Sequence, residues 1–187
     1  MFLACHPIQF VAAVRNIDAD AIRLPSGDLA LSYRLAADMN HLPIAPRTCA
    51  KRTDGLWQHT CFEAFFGVAG TANYLEYNFS PSGQWAAYAF SAYRQRDVGA
   101  DPLLSPRIAI HQFGDSFTLE VLLASETFPD SMNSAALQLG LCAVVEDRDR
   151  RLSYWALCHA QGGPKAVPDF HRRDTFVLEL PSRYLPR

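Results

Sequence analysis

The stretch Leu56–Arg94, LWQHTCFEAFFGVAGTANYLEYNFSPSGQWAAYAFSAYR, leaves the backbone few choices. Three short runs, near 56–67, 73–79 and 84–93, alternate side chains with a period of two. Turn signals separate them, Gly67 to Asn73 and then Pro81-Ser82-Gly83. Such alternation between breakers is what antiparallel strands require. Further strand-like runs lie near 8–15, 29–36, 106–113, 116–123, 137–146, 151–157 and 175–180. They are punctuated by Pro25-Ser26-Gly27-Asp28, Gly114-Asp115 and Asp147 to Arg151. No segment sustains a 3.6-residue apolar repeat, so only a turn or two of helix is expected, around Ser125–Phe128 and Ser131–Ala135. The fold class that follows is all-β: an antiparallel β-sandwich or jelly roll. Long loops are expected at its ends, over His41–Asp54, Asp97–Pro106 and Ala160–Asp174.

At 187 residues, 49% hydrophobic and 19% charged, the chain can bury a core, and one domain spanning 1–187 is expected. A formal net charge of −2 provides no nonspecific grip on nucleic acid or anionic membrane. No apolar run reaches the ~20 residues that span a bilayer. The N-terminal MFLACHPIQF lacks a basic start and carries Pro7 in its apolar part, so it does not read as a secretory signal. The five cysteines (Cys5, Cys49, Cys61, Cys142, Cys158) form no CxxC pair, which speaks against a zinc site or a disulfide framework. A reduced, cytoplasmic protein without metal or cofactor is the expectation.

Side chains i and i+2 share a sheet face. Tyr74, Glu76, Asn78 and Ser80 therefore face one way, and Leu75, Tyr77 and Phe79 the other. Likewise Cys61, Glu63 and Phe65 oppose Phe62, Ala64 and Phe66, and Trp85, Ala87, Ala89 and Ser91 oppose Ala86, Tyr88 and Phe90. If the first two strands pair, Glu63 and Glu76 meet on the less apolar face. A ladder of Ala87, Ala89 and Ser91 beside them would form a shallow floor.

Carboxylates, an amide and aromatic rings gathered on one sheet suit a polyhydroxylated ligand. Two facing carboxylates can also act as general acid and base on a glycoside. The structural alternative is that each glutamate pairs with an arginine such as Arg34, Arg94 or Arg172, because a buried charge demands a partner. Trp57, Trp85, Trp155, Tyr88 and Tyr93 are stacking candidates or core residues, and Trp57, ahead of its strand, is the one expected to be partly open. His171, in PDFHRRD, faces either a ligand or a loop clasp in which Asp169 or Asp174 caps backbone amides. His59, His111, His159 and His171 show no metal-ligand spacing, and no GxSxG elbow or phosphate-cradling glycine motif is present.

The pattern LW…TCFEAFF, YLEYNFSPSGQWAAYAFSAYR, YWAL.H and PDFHRRDTFVLEL resembles the DOMON-like domain proteins of bacteria, which are similar to the family 9 carbohydrate-binding modules. The resemblance covers roughly residues 8 to 180. It implies an antiparallel sandwich with a non-catalytic, ligand-binding role, sugars or haem being the ligand classes of the wider group. As ligand-facing residues it implies Glu63, Glu76, Asn78, Arg94 and His171, with Trp57 stacking on the ligand. The leading expectation is thus a small polar ligand, a carbohydrate foremost. A sugar-directed hydrolase or isomerase using Glu63 and Glu76, or a protein-interaction module, is the alternative. The residues do not specify the oligomeric state.

Overall fold

The computed structural model describes residues 1–161 and 167–183, so the middle of the expected Ala160–Asp174 loop lies outside the described residues. Two antiparallel sheets face each other. In chain order the strands are β1 (Ala4–Cys5), β2 (Val14–Arg23), β3 (Leu29–Ala37), β4 (Cys61–Val68), β5 (Tyr74–Phe79) and β6 (Trp85–Ala92). They continue with β7 (Gln95–Arg96), β8 (Arg107–Phe113), β9 (Ser116–Leu123), β10 (Leu137–Glu146), β11 (Leu152–Ala156) and β12 (Leu178–Leu180). A four-stranded sheet has the order β2-β3-β9-β8. An eight-stranded sheet has the order β1-β11-β10-β4-β5-β6-β7, with β12 beside β10. Helical structure is limited to short turns, such as 3-10 turns at Leu56–Gln58 and Ser125–Thr127 and one α-helical turn at Asp130–Asn133. Among the described residues no helix is long and apolar enough to cross a membrane.

The core between the sheets follows from period-two alternation. Ile17, Ala19 and Ala21 of β2, Leu31, Tyr33 and Leu35 of β3, and Phe117, Leu119 and Val121 of β9 point inward from the small sheet. Phe62, Ala64 and Phe66 of β4, Leu75, Tyr77 and Phe79 of β5, and Leu139, Leu141 and Ala143 of β10 answer from the large one. Phe62 stacks on Phe117 with ring centroids 5.7 Å apart, and Tyr33 crosses the sandwich to donate its hydroxyl to the Glu63 carbonyl at 2.8 Å. Each such buried side chain contributes about 1.5–3 kcal/mol relative to exposure.

Two expectations need correction. The first strand was expected near 8–15, but the ladder runs over Val14–Arg23, where Ile17, Ala19 and Ala21 alternate with outward-facing residues such as Asp18 and Asp20. On β6, Ala87 and Ala89 face the core with Trp85, so the expected floor of Ala87, Ala89 and Ser91 does not form beside Glu63 and Glu76. Tyr74 pairs with Phe90, Glu76 with Tyr88 and Asn78 with Ala86, which puts Ala86, Tyr88 and Phe90 on the glutamate face.

That outer face of the large sheet is covered. Every residue of β5, and all of β4 except Val68, is buried. The cover consists of the Leu56 turn and the C-terminal segment carrying Phe170, His171 and Phe176, which pack on Cys61, Phe65, Tyr74 and Phe90 as a second core. Two glycines make room for it. A Cβ at Gly67 would collide with the Arg173 guanidinium, and one at Gly140 would lie 3.1 Å from the Phe176 ring. Arg173 lies across this trough, donating to the Val68 carbonyl (2.8 Å) and stacking over Phe176 (4.6 Å).

Candidate functional site

The second core does not cover the whole outer face. Beside it opens a cleft of about 970 Å3, whose walls include Trp57, Glu63, Glu76, Tyr88, Tyr154 and His171. Register explains how the polar floor assembles. Glu63 of β4 stands opposite Asn78 of β5, and Glu76 stands opposite Phe65, so the two glutamates are diagonal neighbours on one face. Diagonal positions hold their Cβ atoms about 7–8 Å apart, within reach of a single small ligand.

Glu76 has partners. Asn78 Nδ2 donates to its Oε1 at 2.7 Å, and His171 Nε2 stands 3.7 Å from its Oε2. A relay of hydrogen bonds fixes His171: the Arg94 backbone N–H donates to the Tyr74 hydroxyl (3.0 Å), which lies 2.9 Å from His171 Nδ1. With an N–H already directed at the Tyr74 oxygen, the phenol proton is free to go to Nδ1. The imidazole proton is then assigned to Nε2, toward Glu76. The ring is wedged edge-on against Phe65 (5.3 Å) and Phe90 (5.1 Å). Burial, aided by the Arg94 charge, lowers its pKa to about 4, so His171 is neutral.

Glu63 differs. It is 4% exposed, and among the described residues nothing forms a hydrogen bond to its carboxyl. Its flanking thiols, Cys61 and Cys142, are pushed up by burial and stay protonated. Burial first, and then the neighbouring Glu76, raises the Glu63 carboxyl well above the usual range. Burial likewise lifts Glu76, to about 7, against the pull of its Asn78 hydrogen bond and of Arg96 and Arg94. The cleft thus presents two carboxyl groups that can donate as well as accept.

The rim is charged but internally matched. Arg52 and Arg96 both bind Asp101, at 2.9 and 2.7 Å. Arg94 binds Asp169 at 3.0 Å, and Asp169 also accepts from the Tyr93 hydroxyl (2.7 Å) and the His171 N–H (3.2 Å). Arg94 holds a left-handed backbone (φ 53°), an uncommon conformation kept here by its contacts to Tyr74 and Asp169. Arg96 lies 4.4 Å over the Tyr88 ring, while the Tyr88 hydroxyl donates to Asp54 at 2.9 Å. Trp57, 44% exposed, makes a T-shaped contact with Tyr88 at 6.2 Å and lines the cleft.

The structure brings together all six residues singled out from the sequence. Glu63, Glu76, Arg94, His171 and Trp57 line the cleft, and Asn78 lies beneath it, holding Glu76. The expected arginine partners of the glutamates are not found: Arg34 is exposed on β3, Arg172 pairs with Asp174, and Arg94 pairs with Asp169. The clasp at PDFHRRD does form, through Asp169 and the His171 amide. Trp85 and Trp155 are core residues. Among the described residues no group of three His, Cys, Asp or Glu is placed to hold a metal ion. Arg52, Asp54, Arg96, Asp101 and Tyr154 were not singled out as a site. Only Tyr88, i+12 from Glu76 on an adjoining strand, offered a signal, and reading it required the register.

By sequence, no family model and no curated protein matches the chain. By structure, a candidate carbohydrate-binding protein from Bacteroides uniformis superposes with a TM-score of 0.60 at 14% identity, over 96% of this chain and 86% of that one. A family 9 carbohydrate-binding module from Caldicellulosiruptor kristjanssonii in complex with glucose gives 0.56 at 10% identity, covering 96% and 84%. One from the same organism in complex with cellotriose gives 0.59 at 11% identity, covering 96% and 81%. The chain has the sandwich fold of the family 9 carbohydrate-binding modules.

Proposed function

We propose that this chain is a non-catalytic, DOMON-like module that binds a carbohydrate, in the cleft over Glu63 and Glu76. One observation carries the reading: a cleft on a sandwich of this fold combines a half-open tryptophan with a buried polar floor. Sugar rings have apolar faces and hydroxyl rims, and this surface offers both complements. Trp57 covers one ring face. Glu63 and Glu76 accept from or donate to hydroxyls, Asn78 and His171 hold Glu76 in place, and Arg94 braces the wall through Asp169. The solved modules of similar fold bind glucose and cellotriose, which supports the choice of ligand class. We place the protein in a bacterial cytoplasm, since five unpaired cysteines suit a reducing compartment, with neither nucleic acid nor membrane as partner.

Isothermal titration with glucose, cellotriose and a panel of other mono- and oligosaccharides tests this. Binding of at least one is expected, weakened about tenfold or more in Trp57→Ala and Glu76→Gln, each of which removes an anchor near the cleft centre. No heat from any saccharide would count against the proposal. A second reading, hydrolysis of a glycoside by the two glutamates, is favoured by their opening onto one cleft. Release of reducing ends that Glu63→Gln and Glu76→Gln both abolish would establish it instead.

A further inference from the structure

The polar groups around the cleft are matched at its rim but not at its floor. On the rim, Arg52, Arg94 and Arg96 are engaged by Asp101 and Asp169, and Asp54 accepts from Tyr88. On the floor stand two carboxyl groups that no arginine or lysine among the described residues contacts. One of them, Glu63, is buried, opens on the cleft and has no hydrogen-bond partner among the described residues. A buried carboxyl group without partners costs stability, and a ligand group that supplies them recovers it.

The neighbours cannot fill this role. Cys61 and Cys142 flank Glu63 as neutral thiols. Tyr74 and Tyr88 are neutral phenols whose hydroxyls are directed to His171 and Asp54. His171 is neutral and turned toward Glu76. Arg94 and Arg96 act on Glu76 only through space. Among the described residues no third ligand is placed to make the pair a metal site. What fits between two diagonal carboxylates is a compact cation with several N–H donors, and an ammonium group has three.

Resting on the carbohydrate-binding reading above, we propose that the ligand is an amino sugar, its protonated amine seated between Glu63 and Glu76 and its ring against Trp57. Burial raises the pKa of both carboxyls in the free cleft, so seating an ammonium there favours their ionised forms and binding releases protons to the buffer. A neutral sugar has no such effect.

The experiment is calorimetry on the full chain at pH 6.5. Glucosamine, galactosamine and mannosamine are compared with glucose, galactose, mannose and N-acetylglucosamine, in buffers of different ionisation enthalpy. At least one amine should bind about tenfold or more tightly than its hydroxyl and N-acetyl counterparts, as a charge-assisted hydrogen bond in a buried site supports. Its heat should vary with the buffer in the sense of proton release, and Glu63→Gln should weaken the amine at least about tenfold more than it weakens the parent sugar. If Glu63→Gln does not fold, the buffer dependence of the wild type decides alone. Neutral sugars bound as well as their amines, without proton release, would overturn this inference and leave the carbohydrate reading intact. Silence from every saccharide would overturn both.

Discussion

The two sheets of this sandwich use the same alternation to opposite ends. Along β3 and β9 every second residue is buried and the rest face outward, as in β9 with Phe117, Leu119 and Val121 inside and Thr118 and Glu120 outside. Along β4 and β5 the alternation continues in residue type, yet both sets are buried. A polar residue on the small sheet is simply solvated, whereas Glu63, Glu76 and Asn78 are placed where polarity costs free energy. The difference teaches that the large sheet carries a second buried interior on its outer face.

The comparison can be broken at several points, beginning with the largest effect. Phe62→Ala, between Tyr33 and Phe117 in the main core, should lower unfolding stability by about 3–5 kcal/mol in denaturant titration. Phe65→Ala, three residues on and facing outward, should cost nearly as much, about 3 kcal/mol, because His171 and Phe176 close over it. A loss below about 0.5 kcal/mol, as for a surface residue, would refute the second core. Gly67→Ala should displace Arg173 from the trough and cost about 1–3 kcal/mol.

A smaller effect, on pH dependence, separates the floor from the surface. Burial raises the Glu76 pKa in the fold to about 7, whereas in the unfolded chain it ionises at the ordinary glutamate value, near 4.5. Between those limits the unfolded state binds fewer protons, so this group makes stability fall as pH rises. His171, lowered to about 4 from the ordinary histidine value of 6.5, acts in the opposite sense between those two values. Glu76→Gln should therefore gain stability relative to the wild type from about pH 4.5 to 7 and level off above. Glu120→Gln, exposed on the small sheet, should track the wild type across that window.

Much of this was legible in the residues because period two is a local property. It placed Glu76 and Asn78 on one face before any pairing was known, with Glu63 joining them once the two strands pair, and most strands from β3 onward fall where the turn signals set them. β2 was misplaced because its inward Ala19 and Ala21 stand beside aspartates, a weaker signal than the mostly apolar residues from Ile8 to Val14. On β6, alanines fill the core side while Tyr88 and Phe90 take the outer side, so bulk pointed the wrong way. The cover over the glutamates was hidden for a different reason. Residues 170–176 reach β4 and β5 across about a hundred positions of sequence, guided by Gly67 and Gly140, whose role appears only when Arg173 and Phe176 lie in the trough.

The central claim is that the outer face of the large sheet is the ligand face. Amide chemical-shift mapping during titration with glucose and cellotriose tests it directly. The account predicts changes confined to Trp57, Glu63, Glu76, Tyr88 and the His171 segment, with β2, β3 and β9 unmoved. Saturable shifts centred on the small sheet, with the Glu63–Glu76 face silent, would contradict it.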